Sequence, residues 1–505
     1  MIPTVFSKTP TVFSLAPKKS GINGHFTYFC HNKKQETMNQ NNTTGERFIF
    51  KLLARYKQLE KQNQLFTFDP YAFLEIADYH LDNQNESKAL EIIENAIHSH
   101  DDIPDLYIKK ASILKNCHRE TAALQALKKA EAINPENPHI YLVKSEIFVS
   151  LHLHEEALSV LRTIDTQTDN YITSEVLTTK AKVYYSLKRY NDMFENLKEA
   201  LAFNPGNDDA LARIWIAAGV TRKYEESKEI HQQILDNNPH SHLAWFNLGQ
   251  AYNYLSEYVN AIDAYEYAFL LNEDFEAAYT EAAEVCLIVN NYEKALNILL
   301  EKEEKFEERQ EDYLQIGQCY QHLGNLKLAK TYYRKAIKID EFDADSYYHL
   351  GECYLEEKKS KKAIHFFKKA IQIDDSKEEY TARLAEAYLK IQDFRKAEYC
   401  LIKAAEIAAE SSTHWIKLIQ FYINIQNIEK AYETLKEANN YACPIELQVA
   451  EVAILYAENK KSESLKLLAK ILEESFDLYP SLFSIMPDTK SDVKIKALIS
   501  ALRPI

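Results

Sequence analysis

Three His-x-His pairs, His98/His100, His152/His154 and His240/His242, are the residues best suited by spacing to hold a metal ion. Zinc-type chemistry needs further Cys, His or carboxylate ligands beside each pair, and none is close in sequence. All three pairs are read as solvated histidines at turns or helix ends. Seven Cys are scattered along the chain with no C-x-x-C. That argues against a disulfide framework or a zinc site and for reduced thiols in a cytoplasmic protein. Cys319 and Cys353 are read as buried packing thiols. The phosphate-cradling patterns G-x-x-x-x-G-K and G-x-G-x-x-G are absent, as are G-x-S-x-G and H-E-x-x-H. No catalytic residue, metal or cofactor is expected, and the chain reads as non-enzymatic.

Charge and hydropathy narrow the partner classes. Sixty basic residues against 75 acidic ones leave a net charge of −15 with no strong basic run. Nucleic-acid binders hold phosphates with a basic excess or a basic face, so nucleic acid is not an expected partner. No apolar stretch of about 18 residues is present, so no membrane span is expected. The N-terminal MIPTVFSKTPTVFSLAPKK lacks a basic region followed by an apolar core and does not read as a signal peptide. A length of 505 residues would suit about three or four domains. Only 9 Gly and 13 Pro accompany 46 % hydrophobic residues. Such a uniform, breaker-poor composition suits a helical repeat array better.

Self-comparison gives a period of 34 residues. Repeats start at 70, 104, 138, 174, 208, 242, 276, 310, 344, 378, 412 and 446; only the repeat from 138 is longer, at 36. Each reads as two amphipathic helices with a short turn near positions 15 to 17. Position 8 is small in most repeats, as in Ala77, Ala111, Gly249, Gly317 and Gly351, and position 20 is usually Ala. Small residues on facing helices allow close backbone approach. Position 4 is mostly aromatic (Phe73, Tyr107, Tyr141, Trp245, Tyr347, Trp415), and position 11 is often Tyr, as in Tyr184, Tyr252 and Tyr388. These rings fill the space between helices. Pro70, Pro104 and Pro138 open helices, where a missing N–H costs nothing.

Large–small–Tyr in the first helix, Ala–aromatic–Ala in the second and a period of 34 together resemble the tetratricopeptide repeat (TPR). The sequence is similar to long bacterial TPR arrays of unassigned role. FDPYAFLEIADYHLDN and SLFSIMPDTKSDVKIKALI resemble their end segments. The resemblance implies an all-α solenoid, a right-handed superhelix of about twelve helix-turn-helix repeats with N- and C-terminal capping helices. Pentatricopeptide RNA binders, with period 35 and usually a basic groove, fit poorly.

The expected organisation is a disordered lead over 1–45, a capping helix within 46–69, repeats over 70–479 and a C-terminal cap over 480–505. Residues 1–45 carry five Lys against one Glu, and Met38 is the alternative start. Trp215 and Ala218, at positions 8 and 11 of the repeat from 208, are read as a volume-conserving swap in the core. EKEEKFEERQED (301–312), which includes Lys302, is read as a solvated helix end, with a hinge near 310 as the sharper alternative.

In the TPR family the concave groove is lined by positions 2, 5, 9, 12 and 13 of the first helix. Carried over, repeats 4 to 6 offer Tyr185, Ile216, Val220, Leu243, Phe246, Gln250, Asn253 and Tyr254, a mixture of apolar side chains and amides suited to peptide. Repeats 8 to 10 offer Glu311, Asp345, Glu352, Glu356, Glu379 and Glu386, which would attract a basic partner. No repeat carries the Lys–Asn pair with which TPR co-chaperones clamp a C-terminal carboxylate. The leading function is a protein-interaction scaffold that binds peptide or helical segments of other proteins. A frame for a catalytic or nucleotide-dependent activity and a structural protein self-associating through its end helices are the alternatives.

Overall fold

The computed structural model describes residues 42–164, 169–442 and 444–502. The disordered lead expected up to residue 41, with the alternative start at Met38, lies outside them, and residues 42–45 are helical. No strand occurs among the described residues. The chain is an α-solenoid of packed consecutive helix pairs, divided into two compact bodies, Met1–Asn272 and Glu273–Ile505.

Local chemistry explains the helix starts. Asp69 caps Pro70–Asp82 by accepting the Tyr71 N–H, and Asn137 caps Pro138–Ser150 by accepting that of His139. Each supplies one missing partner to an open helix end. The turns inside the pairs share a second device. A single residue in the left-handed region closes the first helix: Gln84, His118, His152, Lys188, Arg222, Ser256, Asn290, Lys358, Gln392, Gln426 and Asn459, with Gly only at 324. The N–H after it reaches five residues back, as from Asn85 to the His80 carbonyl, so the last carbonyls are satisfied.

The interior of each pair follows the small-to-large rule. An added Cβ at Gly249, Gly317 or Gly351 would come within 2.7 Å of the rings of Tyr265, Tyr333 and Phe367 respectively. All three rings are fully buried, so glycine at position 8 is what admits an aromatic from the second helix.

The repeat from 208 solves the same problem differently from the expected swap. Trp215 is only part-buried. The interior is filled instead by His231 and Ser227 on the second helix, Tyr224–Asn237. The His231 Nδ1–H donates to the Ser227 carbonyl at 2.6 Å, and Nε2 lies 3.2 Å from the Asn247 amide nitrogen. Burial holds this imidazole down to about 4, so it is neutral.

In the second body, Lys302 corrects the reading of a solvated helix end. It is 2 % exposed, and its ammonium meets Asp312 at 2.6 Å and Glu276 at 3.6 Å. That buried bridge ties Tyr292–Lys305 to Gln310–His322. The division between bodies falls at Asn272/Glu273, not near 310.

Each body carries a terminal element. Helix Asn42–Lys61 inserts Tyr56 against Phe68 and Phe73, and the Tyr56 hydroxyl accepts from the Asn95 amide at 2.9 Å. At the other end, Asp492 caps Val493–Ala501 and accepts a 2.8 Å hydrogen bond from the Tyr456 hydroxyl. No helix among the described residues is long and apolar enough to cross a membrane.

Candidate functional site

The first helices of repeats 4 to 6 are Asn170–Ser186, Asp208–Thr221 and His242–Tyr254. Near their C-terminal ends three large side chains are open to solvent: Tyr185 (45 % exposed), Val220 (45 %) and Tyr254 (47 %). Two of the three are backed by a neighbouring ring. Tyr254 stacks on Tyr224 at 4.6 Å between ring centroids, and Tyr185 meets Tyr190 edge-on at 6.1 Å. Gly219 lies directly beneath the Tyr254 ring, and its carbonyl accepts from the Tyr224 hydroxyl at 3.2 Å. Tyr190 and Tyr224 were not among the sequence-derived groove residues. The signal was present: Tyr recurs at position 17 in Tyr190, Tyr224, Tyr258 and Tyr292.

The other expected residues of this face divide. Ile216, Leu243 and Asn253 are part-buried. Phe246 and Gln250 are corrections, since each is only 6 % exposed. The Phe246 ring packs 5.6 Å from that of Tyr265, so it belongs to the core of its own helix pair. The Gln250 amide nitrogen is buried without a hydrogen-bond partner.

The equivalent face of repeats 8 to 10 is built from Gln310–His322, Ala344–Glu356 and Glu378–Lys390. Here the carboxylates expected to attract a basic partner are engaged by the chain itself. Asp345 takes Lys377 at 2.8 Å and the Tyr380 hydroxyl at 2.6 Å. Glu352 accepts from Tyr348 and His349, both at 3.1 Å, and pairs with Arg383 at 3.1 Å. Arg383 also reaches Glu386 at 2.9 Å, and Gln321 donates to Glu356 at 2.8 Å. Burial works against ionising Asp345 and Glu352, but these donors outweigh it and hold both carboxyls below the usual range. Glu311 and Glu379 are exposed. The acidic stretch is therefore a polar ladder: Gln318 meets His349 at 3.0 Å, His349 meets Glu352, and Glu352 meets Arg383 of the next repeat. Its cations stand at position 6 and just before position 1, places outside the five groove positions.

A second ionic chain runs through the first body. Lys115 bonds Glu146 at 2.5 Å, Lys182 bonds Glu146 and Asp209 at 2.8 Å each, and Arg213 bonds Asp209 at 2.7 Å. Lys109 pairs with Asp78 in the repeats before it. Burial opposes the charge on Glu146, yet Lys115 and Lys182 hold it well below the usual carboxylate range. Glu175, beside this chain and 3.6 Å from His139, is pushed up to about 7 by burial. Lys115, Glu146, Glu175, Lys182 and Asp209 occupy groove positions 12, 9, 2, 9 and 2. Charges of both signs at those positions were the available signal.

No group of three or more His, Cys, Asp or Glu among the described residues could hold a metal ion. Burial pushes the Cys319 and Cys353 thiols up to about 12, which disfavours thiolate chemistry.

Two tetratricopeptide-repeat family models match the sequence, one over residues 216–274 and one over residues 312–376. The chain is a tetratricopeptide-repeat protein. No curated protein matches it. Among solved structures, this TPR protein is similar to YrrB, described as a TPR protein with an unusual peptide-binding site. The identity is 20 %, covering 35 % of this chain and 91 % of that one, with a TM-score of 0.31. A chain of the APC/C hetero-tetramer Cut9–Hcn1 matches at 12 % identity over 91 % of this chain and 96 % of its own, with a TM-score of 0.36. MamA matches at 19 % over 33 % of this chain and 91 % of its own, with a TM-score of 0.31.

Proposed function

We propose that this TPR protein is a non-enzymatic interaction scaffold whose first-helix face in repeats 4 to 6 takes a peptide or helical segment of another protein. The observation that carries the reading is the run of exposed Tyr185, Val220 and Tyr254 on successive first helices. Exposed apolar side chains that cluster on a rigid frame are the usual mark of a protein contact. Two of the three have their rings set by a neighbouring Tyr, so little side-chain freedom remains to be lost on binding. The polar ladder of repeats 8 to 10 has its carboxylates already paired and is a weaker lure for a basic partner than its acidic composition suggests.

The test is affinity capture on the intact protein with mass spectrometry, repeated on a Tyr185→Ala, Val220→Ser, Tyr254→Ala variant. Loss of a specific set of partners supports this face. An unchanged set of partners on the folded variant removes it.

A further inference from the structure

Charge is unevenly spread over the second helices of the array. Leu326–Ile339 in repeat 8 and Ser360–Ile373 in repeat 9 carry five and four Lys or Arg, and no Asp or Glu. Every other second helix holds at least one carboxylate. Setting these nine charges aside takes the chain's net −15 to −24. Lys330 is paired with Glu357, and Lys335 with Glu303 at 2.7 Å. The other seven side chains are exposed and form no ion pair among the described residues.

The two helices hold their cations side by side. Lys330 of the first and Lys362 of the second lie over the same ring, Tyr354, at 4.9 and 5.6 Å from its centre. One repeat on, Lys368 and Lys396 share Tyr388 in the same way, at 5.9 and 5.5 Å. Along each helix the outward cations form one stripe. Lys327, Arg334 and Lys338 stand at positions 18, 25 and 29, and Lys361 and Lys368 at positions 18 and 25. Steps of seven and four residues keep to one helix face. The stripe from Lys327 to Lys338 is about 16 Å long. It is closed off by acidic turns, Asp340 and Glu341 after the first helix, Asp374 and Asp375 after the second.

We propose that this face binds an acidic segment of a partner protein, a short run of Asp or Glu side chains laid across the two stripes. Opposite charge sets the sign of the partner. Length sets its kind. An extended chain rises about 3.3 Å per residue, so about five residues cover a stripe. A nucleic acid or a membrane surface would reach past it to the acidic turns, where like charges closer than a Debye length of about 8 Å repel. Tyr354, the ring between the stripes, is 8 % exposed beneath its two lysines and offers no bare platform for a base. The face belongs to the second body and does not rest on the first-helix reading of repeats 4 to 6.

The test is fluorescence anisotropy with fluorescein-labelled hexaglutamate on the intact protein, beside hexaglutamine and a labelled oligothymidylate of the same charge. Saturable binding of hexaglutamate that weakens as salt rises, and none of hexaglutamine, is expected. Lys327→Glu with Lys338→Glu and Lys361→Glu changes three exposed side chains that make no ion pair, hydrogen bond or ring contact among the described residues, so the variant should melt as the parent does. It should weaken binding about tenfold or more. Lys436→Glu with Lys466→Glu and Lys470→Glu changes the net charge equally on other second helices and should leave binding within about twofold. The proposal is overturned by no saturation at millimolar peptide, by equal binding of hexaglutamine, or by equal effects of the two variants. An oligothymidylate bound as tightly as hexaglutamate, or more so, would also overturn it and give the face to nucleic acid.

Discussion

The first-helix faces of repeats 4 to 6 and of repeats 8 to 10 use the same positions of the same 34-residue unit to opposite ends. In the first, Tyr185, Val220 and Tyr254 stand open to water on a backing of Tyr190 and Tyr224. In the second, Asp345, Glu352 and Glu386 are taken up by Lys377, His349 and Arg383. A repeat scaffold fixes where a side chain sits. Whether that side chain remains available to a partner depends on residues of its own and the neighbouring repeat, which either stack behind it or bond to it.

The sharpest way to break the comparison lies in the ionic chain of the first body. Lys182→Met leaves Glu146 and Asp209 without the cation they share. We expect a loss of about 3 kcal/mol, the low end for a broken buried pair, because Lys182 keeps a quarter of its surface in water. Faster amide exchange in Asn170–Ser186, with Ala344–Glu356 unaffected, is the readout. A uniform effect on both helices would show that the chain is not local to the first body.

Next comes a pH effect of opposite presence in the two bodies. His231 fills the place that Tyr333 and Phe367 take in the second body, and burial lowers it to about 4. The unfolded imidazole, near 6.5, binds protons that the folded one refuses. This contribution is therefore complete above pH 6.5 and is lost as pH falls towards 4. About 2 kcal/mol should go between pH 7 and pH 5, seen as a fall in the first body's melting temperature that His231→Gln flattens.

Arg383→Ala sharpens the other side. Arg383 is nearly half exposed, so the stability cost should stay near about 1 kcal/mol. Freeing Glu352 and Glu386 should give this face a measurable, salt-sensitive affinity for a labelled oligolysine peptide that the parent lacks. Equal binding by parent and variant would mean that the ladder does not mask its carboxylates.

The smallest expected effect on stability is that of Tyr254→Ala, within about 1 kcal/mol, since the ring is half exposed. A thermal melt close to that of the parent is the expected reading. A large loss would make Tyr254 a packing residue and weaken its claim to face a partner.

The candidate faces were only partly legible in the sequence. Of the groove positions, those of Tyr185, Val220 and Tyr254 hold exposed side chains. Phe246 stands at another of them, yet it turns inward against Tyr265 because Gly249, three residues on, lets that ring come close. Periodicity does not report such a local vacancy. The Lys302–Asp312 bridge was equally hidden, since a run of charges looks solvated until two of them are found buried together.

What the sequence determined by itself was the unit: two helices, a turn near position 15, small residues facing large ones, and twelve copies in register. Those features rest on local propensity and a fixed period, which any window of the chain displays. Tertiary structure alone decided which side chains at equivalent positions stay open, which are paired across repeats, and where the two compact bodies divide. Contacts such as Glu146 with Lys182 or Tyr224 with Tyr254 join residues 30 or more apart in sequence, and only the stacking of one repeat on the next brings them into range.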